Sequence, residues 1–149
     1  VEFFDYQCGY CKRTLTSIVE LLRIDKKVRV VWKELPILGP NSRIAARAAM
    51  AAKRQFRYLD FHIAIMSERG RLSENKIMAA AKRLGLDINK LRDDMKDPAI
   101  DVYLDETKQL ANKLGIRGTP ALIIGDTIVP GAIDTAGIKR IVDQFRAGN

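Results

Sequence analysis

The sequence has few of the side chains that bind metal ions and no segment of the kind that crosses a membrane. Its 149 residues include two cysteines and one histidine, whereas a structural zinc site ordinarily uses four ligands. No apolar run approaches the length of a membrane span, and no basic stretch followed by an apolar one has the form of a secretory leader. We therefore expect no metal site and no membrane span in these residues.

Repeats, low-complexity tracts and linker-like segments are also missing. The composition, with 47% hydrophobic and 30% charged residues, is that of an ordinary folded protein. A chain of this length forms one domain and buries about two-thirds of the surface that it exposes when unfolded. We predict a single domain over residues 1–149 that does not need a disulfide in order to fold.

The charge of the chain is unbalanced, but it is not clustered. The net charge is +8 and the pI is near 9.7. The lysines and arginines are scattered among acidic residues, without the continuous stripe or the interleaved aromatic side chains of a nucleic-acid interface. This pattern predicts a solvated surface and no nucleic-acid binding. It leaves open a binding module that uses its basic surface on an acidic partner.

The two cysteines stand where the hydrophobic pattern changes. Residues 1–4 form a short apolar run typical of a buried strand, and from Cys8 onward apolar residues recur with the spacing of a helix that has one buried face. These apolar residues are Leu15, Ile18, Val19 and Leu22. The pattern predicts that Cys8 lies at the first turn of the helix and that Cys11 lies one turn further in, on the same side.

A cysteine pair in this position suits thiol–disulfide exchange. The free N–H groups and the positive dipole end of the helix favour a thiolate at Cys8, which can attack another disulfide, and Cys11 can then resolve the mixed disulfide. Two structural interpretations compete with this one. A structural disulfide would enclose only two residues and would restrict the unfolded chain little. Two inert buried thiols would suit a helix interior better than a strand-to-helix turn.

The rest of the chain alternates between sheet and helix patterns. Residues 28–35 are β-branched and aromatic and predict a second strand, parallel to the first because a helix connects them. The pair Asn41-Ser42 is a good N-cap, and residues 41–97 then show helical spacing without linker composition. One more helix follows, and Gly125-Asp126 forms the turn of a predicted hairpin before the last helix.

Two further side chains could suggest a functional role. Trp32 falls within the second predicted strand and is most simply a packing residue. His62 falls in an amphipathic helical segment beside Phe61 and Ile63, and the sequence brings no catalytic partner next to it. We predict that His62 is a packing or surface residue.

Two short motifs and the order of the elements together carry a family resemblance. The motif Cys-Gly-Tyr-Cys at 8–11 follows the first strand, and Gly-Thr-Pro-Ala at 118–121 stands immediately before the hairpin. With the helical block at 41–97, the chain resembles the DsbA-like family of bacterial thiol–disulfide oxidoreductases, most closely over residues 3–8 and 33–40. The resemblance implies an α/β thioredoxin-like fold, in which a central mixed sheet is flanked by helices and an all-helical insertion lies between the second strand and the penultimate helix.

The resemblance gives roles to residues of both motifs. Cys8 resembles the family's exposed nucleophile, and Cys11 resembles its buried resolving thiol. Pro120 looks like the cis-proline that faces the disulfide, a conformation that is accessible because X–Pro bonds lose most of the trans preference. The backbone of Thr119 would then pair with an extended substrate strand through main-chain hydrogen bonds.

The dipeptide between the cysteines, Gly9 and Tyr10, belongs to the same predicted substrate-binding surface but departs from the relatives with the best-known motifs. It is neither the Pro-His of the strongly oxidising type nor the Gly-Pro of thioredoxin. Tyr10 adds no positive charge near the thiolate, so one means of stabilising the reduced form is missing.

One acidic residue also takes a role from the resemblance. Glu2, six residues before Cys8, falls where the family keeps a buried acid near its active site. It would relay a proton to or from Cys11, with Lys33 as its partner. From the sequence alone, Glu2 can also be read as an exposed residue near the end of the first strand.

The function that the resemblance implies is exchange of the Cys8–Cys11 disulfide or dithiol with cysteines of substrate proteins, as an oxidant in disulfide bond formation. A disulfide isomerase or reductase of the same fold would use the same residues. Two other classes stay open. One is a non-catalytic basic binding module with a vestigial CxxC motif, and the other is an enzyme acting on small thiol conjugates, for which one nucleophilic cysteine ordinarily suffices.

The resemblance also implies the setting of this chemistry. The redox-active cysteine pair would serve without any cofactor. The expected partners are cysteine-containing unfolded or partly folded proteins and a membrane redox partner protein. The expected location is the bacterial periplasm or another secreted compartment.

Overall fold

The computed structural model describes residues 1–148, and its elements follow the predicted order. Within these residues the strands are β1 (Glu2–Phe4), β2 (Trp32–Glu34), β3 (Ala121–Ile124) and β4 (Thr127–Pro130). The helices are α1 (Gly9–Ile24), α2 (Pro40–Lys53), α3 (Tyr58–Ser67), α4 (Glu74–Arg83), α5 (Ile88–Asp94), α6 (Pro98–Lys113) and α7 (Thr135–Ala147). The last residue of the predicted domain, Asn149, lies outside the described residues.

The described strands form one mixed sheet in the order β2-β1-β3-β4. β1 pairs with β2 in parallel, and α1 makes the crossover that parallel neighbours require. β3 pairs with β1 and with β4 in antiparallel orientation, and Ile124 faces Thr127 across the predicted hairpin turn. These pairings confirm the predicted α/β fold, a central mixed sheet flanked by helices.

The strand directions bring three loops to one edge of the sheet. Because β1 and β2 are parallel, the loop after Phe4 and the loop after Glu34 leave the sheet at the same edge. β3 runs the opposite way and pairs with β1 through Ala121 and Phe3, so the loop that precedes β3 lies at this edge too. The two motifs of the sequence therefore meet, although they are more than a hundred residues apart.

The core is built on both faces of β1. Successive side chains of a strand point to opposite faces, and Phe3 and Phe4 are both fully buried. Phe4 packs with α1 and with an alanine-lined face of α2, whereas Phe3 packs with Leu35 and with Ala111 of α6. The alanines let the helices of the block α2–α5 approach closely, since a small side chain keeps the helix axes near one another.

The second strand is shorter than predicted. β2 spans Trp32–Glu34 rather than residues 28–35, and Val28 instead donates its N–H to the carbonyl of Asp25 in a turn. The pairing partner limits the strand: β1 has only three residues, so only three positions of the neighbouring chain can form a regular ladder. A β-branched composition favours extended backbone but does not supply a partner.

The predicted helix cap at Asn41-Ser42 is wrong. α2 begins at Pro40, and Gly39, with a φ of 108°, is its N-cap without a side-chain hydrogen bond. Proline fits the first position of a helix because its missing N–H would lack a helical partner in any case. Both polar side chains are used elsewhere, since Asn41 donates to the carbonyl of Leu72 and Ser42 donates to Asp5.

Two expected absences can be examined in the part of the chain that the structure describes. No helix there is both long enough and apolar enough to cross a membrane. No group of three or more His, Cys, Asp or Glu side chains within residues 1–148 is arranged to hold a metal ion. The expectation that the chain works without a metal or a cofactor remains a prediction.

Candidate active site

Cys8 joins β1 to α1 and is the N-cap of the helix. Its Sγ accepts a hydrogen bond from the backbone N–H of Cys11 at 3.4 Å, in the way that a serine or aspartate oxygen does at other helix starts. Its own N–H donates to the carbonyl of Asp5 at 3.1 Å. The prediction that Cys8 lies at the first turn of the helix is confirmed. The N–H group and the positive end of the helix dipole both favour negative charge on this sulfur.

The loop before β3 lies directly against Cys8. The Cys8 thiol donates a hydrogen bond to the carbonyl oxygen of Thr119 at 3.2 Å. The peptide bond between Thr119 and Pro120 is cis, and the carbonyl of Pro120 accepts from the N–H of Gly131 at 2.8 Å. The structure thus brings Cys8, Thr119 and Pro120 together, as the resemblance implies.

Cys11 has quite different surroundings. Both cysteines are free thiols in this structure, but Cys11 is fully buried, whereas Cys8 keeps 6% of its surface exposed. Burial raises the pKa of the Cys11 thiol far above its ordinary value. The neighbouring Cys8 adds to this rise in pKa, and hydrogen bonds with the Asp5 backbone and Thr119 oppose it.

Cys8 is less exposed than the resemblance implies, because the Thr119 loop covers part of its sulfur. The next two residues in the chain, Gly9 and Tyr10, are exposed. Tyr10 is 59% exposed, and the guanidinium carbon of Arg13 lies 4.3 Å from the centre of its ring, a cation–π contact. Tyr10 brings no charge of its own, but it holds an arginine at this surface. The i, i+3 spacing of the two residues on one helix is the sequence signal that could have found this contact.

Glu2 is buried, with 1% of its surface exposed, so its interpretation as an exposed residue is wrong. It lies in the middle of the sheet, between Trp32 of β2 and Leu122 of β3. Neither carboxyl oxygen makes a hydrogen bond of standard geometry, and neither does the indole N–H of Trp32. Burial raises the pKa of Glu2 to about 8, opposed by the nearby indole N–H and by the N-terminal amino group.

Lys33 is not the partner of Glu2. In the parallel pairing of β1 with β2, Lys33 stands opposite Phe3, so it points to the other face of the sheet. Its Nζ atom lies 5.2 Å from the centre of the Tyr103 ring on α6. The register between β1 and β2 decides which face Lys33 occupies, and the sequence does not contain that register.

The relation of Glu2 to Cys11 remains a prediction. Glu2 shares the α1 face of the sheet with Phe4, and it borders a cavity together with Ile18 and Leu21 of α1. Cys11 lies nearer the start of the same helix, where it packs in a cluster with Phe4. The pKa of Cys11 is shifted first by burial and then by its neighbours Asp5, Cys8 and Thr119, and Glu2 is not among these causes.

Asp5 is a site residue that the sequence did not reveal. It is 1% exposed, and its carboxylate oxygens accept hydrogen bonds from the backbones of Gln7, Ile37 and Leu38 and from the hydroxyl of Ser42. Three of these donors belong to residues that are 32, 33 and 37 positions from Asp5 in the chain. Only the folded chain brings them together, so no local pattern could have indicated the role of this carboxylate.

A third buried carboxyl group, after those of Glu2 and Asp5, lies beneath the loop that carries Cys8. Glu34, at the end of β2, accepts hydrogen bonds from the hydroxyls of Tyr6 at 3.0 Å and Tyr58 at 2.8 Å. Burial raises its pKa to about 8, and the two tyrosine hydrogen bonds oppose that rise. The Tyr6 hydroxyl also lies 3.2 Å from Nδ1 of His62. The two tyrosines are 28 and 24 positions from Glu34, which explains why no local pattern predicted them.

His62 is confirmed as a packing residue. It is fully buried, and its ring contacts the edges or faces of Phe4, Tyr6, Trp32 and Tyr58. Burial lowers the pKa of His62 to about 3, so the imidazole is neutral at physiological pH. Trp32 packs against the same cluster, which confirms its predicted role as well.

Comparison with known proteins relates this arrangement to a family. The family model for DSBA-like thioredoxin domains matches residues 1–143. Among solved structures, a thioredoxin-like oxidoreductase from Silicibacter pomeroyi is 40% identical to this chain, with a TM-score of 0.95. The match covers 98% of this chain and 84% of that one.

The curated relatives include proteins of two kinds. The Na(+)/H(+) antiporter NhaA 1 of Salinispora arenicola is 28% identical over 150 residues, which are 99% of this chain and 23% of the antiporter. The thiol:disulfide interchange protein DsbA of Bordetella pertussis is 29% identical over 161 residues, which are 97% of this chain and 73% of that protein. The chain thus spans about a quarter of the antiporter that it matches and nearly three-quarters of the interchange protein.

Proposed function

The chain belongs to the family of DSBA-like thioredoxin domains and is an oxidoreductase of the thiol:disulfide interchange type, and on that premise we propose that it oxidises cysteine pairs of other proteins by giving them its Cys8–Cys11 disulfide. One observation carries the proposal. The Cys8 sulfur lies between the N–H of Cys11 and the carbonyl of Thr119, so the exchanging sulfur, the resolving residue and a backbone edge for substrate meet at one point.

The reaction starts from the Cys8–Cys11 disulfide. A substrate thiolate attacks the Cys8 sulfur, the bond to Cys11 breaks, and Cys11 leaves as a thiolate that takes up a proton. A second substrate thiolate then attacks the substrate sulfur of the mixed disulfide and releases Cys8 as a thiolate. The substrate loses two electrons and gains a disulfide, while the cysteine pair gains the two electrons. The Cys11 N–H and the helix dipole stabilise the Cys8 thiolate that forms.

The Thr119 loop provides the place where the substrate chain binds. In the reduced protein the Cys8 thiol donates to the Thr119 carbonyl, but in the mixed disulfide Cys8 has no S–H group. The carbonyl then becomes free to accept a hydrogen bond from the backbone of the substrate, which would suit many sequences equally. Pro120 stands beside it, and exposed Gly9 and Tyr10 form the surface on the other side of the sulfur.

Proton transfer to and from Cys11 needs a group in the interior, because water does not reach this thiol. Glu2 is buried on the same face of the sheet and has a pKa of about 8. Because this pKa lies close to neutral pH, the carboxyl group can both bind and release a proton there. We assign it the relay role that the family resemblance implies.

The cycle is completed outside this chain. The reduced cysteine pair must pass the two electrons that it received from the substrate on to an oxidant. For a secreted or periplasmic enzyme, we propose that this oxidant is a membrane redox partner protein. The cysteine pair acts without a cofactor in this scheme. The substrates are unfolded or partly folded proteins with free cysteines.

The direction of the reaction is tested by equilibrating the Cys8–Cys11 pair in graded glutathione buffers and trapping the free thiols. We expect a reduction potential well above the value of about −270 mV that is typical of thioredoxin, together with transfer of the preformed disulfide to a reduced dithiol peptide. A potential near that of thioredoxin would instead indicate a reductase or an isomerase. If the cysteine pair showed no reversible redox step, the non-catalytic basic binding module would be the remaining interpretation. Salt-sensitive binding to an acidic partner would then support it.

A further inference from the structure

The two segments that meet at Cys8 carry positive charge and no negative charge. Residues 8–19 and residues 107–125 contain no aspartate and no glutamate, although acidic and basic residues are interleaved over the chain as a whole. The basic residues of these two segments are Lys12, Arg13, Lys108, Lys113 and Arg117. The fold thus brings segments without acidic side chains to both sides of the Cys8 sulfur.

Arg13 is the basic residue whose position near this sulfur is best defined by a contact. Its guanidinium carbon lies 4.3 Å from the centre of the Tyr10 ring, and both side chains are exposed. Within residues 1–148 the Arg13 side chain makes no salt bridge and no hydrogen bond. The ring therefore holds the guanidinium group in place, while all of its N–H groups can bind a ligand.

Arg13 lies within reach of a polypeptide that is attached to Cys8. Cys8 is the N-cap of α1, and because a helix rises about 1.5 Å per residue, Arg13 lies only about 8 Å further along the helix axis. An extended polypeptide advances about 3.3 Å per residue. The second or third residue from the exchanging cysteine of a substrate can therefore come level with the guanidinium group.

The loop on the other side of the sulfur carries a second arginine. Arg117 stands two positions before Thr119, whose carbonyl oxygen accepts the hydrogen bond from the Cys8 thiol. Arg117 is exposed, and its side chain makes no ion pair or hydrogen bond in the part of the chain that the structure describes. A substrate strand paired with the Thr119 backbone would thus have one arginine on the Thr119 side of Cys8 and another on the Tyr10 side.

Two acidic side chains lie near this edge of the sheet, and both already have partners. Asp5 is buried, and its carboxylate oxygens accept four hydrogen bonds. Glu68, whose backbone carbonyl accepts a hydrogen bond from Lys12, forms a salt bridge with Arg83 through its carboxylate. Neither carboxylate pairs with the two exposed guanidinium groups, so these groups can bind an anionic ligand.

We propose that Arg13 and Arg117 are specificity residues that favour polypeptides with an aspartate or glutamate about two or three residues from the exchanging cysteine, and that Tyr10 positions Arg13 for this contact. The planar guanidinium group matches the two oxygens of a carboxylate, so each arginine can bind one acidic side chain. The inference rests on the proposed thiol–disulfide exchange and adds its substrate class, acidic polypeptide segments.

The test compares three dithiol peptides as substrates of the oxidised protein. The peptides are identical except that the second residue on either side of the cysteine pair is aspartate, asparagine or lysine. Aspartate and asparagine differ in charge but hardly in shape, so their comparison isolates the charge. Dithiothreitol, which has no charged group at neutral pH, is the reference reductant. Disulfide transfer is followed by thiol trapping and expressed as kcat/KM.

The variants remove each arginine and the ring that holds Arg13. They are Arg13→Gln, Arg117→Gln, the double variant of both, Tyr10→Leu and Tyr10→Phe. The matched control is Arg140→Gln, which removes the same charge from an exposed position of α7. α7 packs beside the part of α1 that extends from Ser17 to Asp25, so Arg140 lies away from the exchange site.

We expect the wild type to oxidise the aspartate peptide about fivefold faster than the asparagine peptide at low salt, as for exposed charge pairs with two arginines. The lysine peptide should be slower still. Each single arginine variant should reduce the preference to about twofold, and the double variant should abolish it. Tyr10→Leu should act like Arg13→Gln, whereas Tyr10→Phe keeps the ring and should keep the preference. High salt should weaken the preference by screening.

The rate with dithiothreitol should stay within about twofold of wild type in every variant, because this reductant has no carboxylate for an arginine to bind. Arg140→Gln should retain the full preference for the aspartate peptide. Equal losses with dithiothreitol and with all three peptides would contradict the proposal, because they would show a general effect of the arginines on Cys8 rather than recognition of the substrate.

Two further results would overturn the proposal while leaving the exchange reaction intact. One is an equal kcat/KM of the wild type for the aspartate and asparagine peptides. The other is a preference for aspartate that survives in the double variant, which would place its cause elsewhere on the basic surface. If the wild type gave its disulfide to none of the four dithiols, the proposed function itself would fall, and the substrate class with it.

Discussion

The two cysteines mark two regions of the active site that differ in almost every physical respect. Around Cys8, at the edge of the sheet, a thiol with a small exposed surface lies among backbone groups that both donate to it and accept from it. Around Cys11, three residues further along α1, the thiol is fully buried and its pKa is raised. The two thiols of one helical turn therefore differ in exposure and in their backbone contacts, and we propose that attack takes place at the edge and resolution in the interior.

The same contrast separates the carboxyl groups of the two regions. At the edge, Asp5 accepts four hydrogen bonds and holds two loops together. In the interior, Glu2 has no hydrogen bond of standard geometry, Glu34 has two tyrosine donors, and burial raises the pKa of both to about 8. All three side chains are equally buried, so the two regions differ in how many hydrogen-bond donors surround each carboxyl group.

The largest expected effect comes from separating the two thiols. Cys11→Ser leaves Cys8 alone, and Cys8→Ser leaves the buried thiol alone. We expect iodoacetamide to alkylate Cys8 in the first variant at least ~100-fold faster than Cys11 in the second, because the thiolate is the reactive form and burial suppresses it. Mass spectrometry of timed samples at pH 7 measures both rates. Equal rates would remove the distinction between edge and interior.

A smaller effect is expected in the interior, at Glu34. Glu34→Ala should lower the free energy of unfolding by about 2–4 kcal/mol, because it leaves a cavity and removes the carboxyl acceptor of two tyrosine hydroxyls, one buried and one partly buried. Glu34→Gln should cost less than about 1.5 kcal/mol, since an amide oxygen still accepts and the carboxyl group is largely neutral at pH 7. Urea unfolding measures both values. A glutamine variant as unstable as the alanine variant would show that the two hydrogen bonds do not explain the site.

The raised pKa values of Glu2 and Glu34 predict a dependence of stability on pH. Their pKa is about 8 in the folded protein against an ordinary value of 4.5, so between these values the folded state binds more protons than the unfolded state. Stability should therefore fall as the pH rises from 5 to 8, and each carboxyl group contributes at most about 1.4 kcal/mol per pH unit to this fall. Urea unfolding of the wild type and of Glu2→Gln/Glu34→Gln at both pH values provides the check. The double variant should show a flatter profile, and an equally steep one would place the titration elsewhere.

The smallest effect is expected at the exposed edge itself. Tyr10→Ala removes a ring that is 59% exposed, so the free energy of unfolding should change by less than about 0.5 kcal/mol. Oxidation of the dithiol peptide should slow by about two- to fivefold, because the ring belongs to the surface that the substrate contacts. Val102→Ala, at an exposed position of α6, is the matched control and should change neither property. A loss of stability without a loss of rate would make Tyr10 a structural residue.

The sequence predicted the features that depend on neighbouring residues. The position of Cys8 at a helix start, the hairpin at Gly125-Asp126 and the packing role of His62 follow from local pattern and composition, whereas the burial of Cys11 was implied by the family resemblance. The family resemblance added the meeting of Cys8 with the loop of Thr119 and Pro120, which no local pattern contains.

The predictions that were wrong and the contacts that were missed depend on residues that are distant in the chain. The length of β2 is limited by β1, and Asn41 and Ser42 do not cap α2 because they bind Leu72 and Asp5 instead. The links that Asp5 and Glu34 form join segments that only the fold brings together. Propensity and periodicity describe what a segment can form, but they do not say which side chain will need its hydrogen bonds elsewhere.

The most direct test asks which sulfur carries the substrate. Each single-cysteine variant is incubated with a peptide that contains an activated disulfide, and mass spectrometry then measures the protein that is covalently linked to the peptide. We expect rapid accumulation of a Cys8-linked complex in Cys11→Ser and almost none in Cys8→Ser under the same conditions. If Cys11 captured the peptide as readily as Cys8 does, or if neither cysteine did, the assignment of attack to the edge and resolution to the interior would be contradicted.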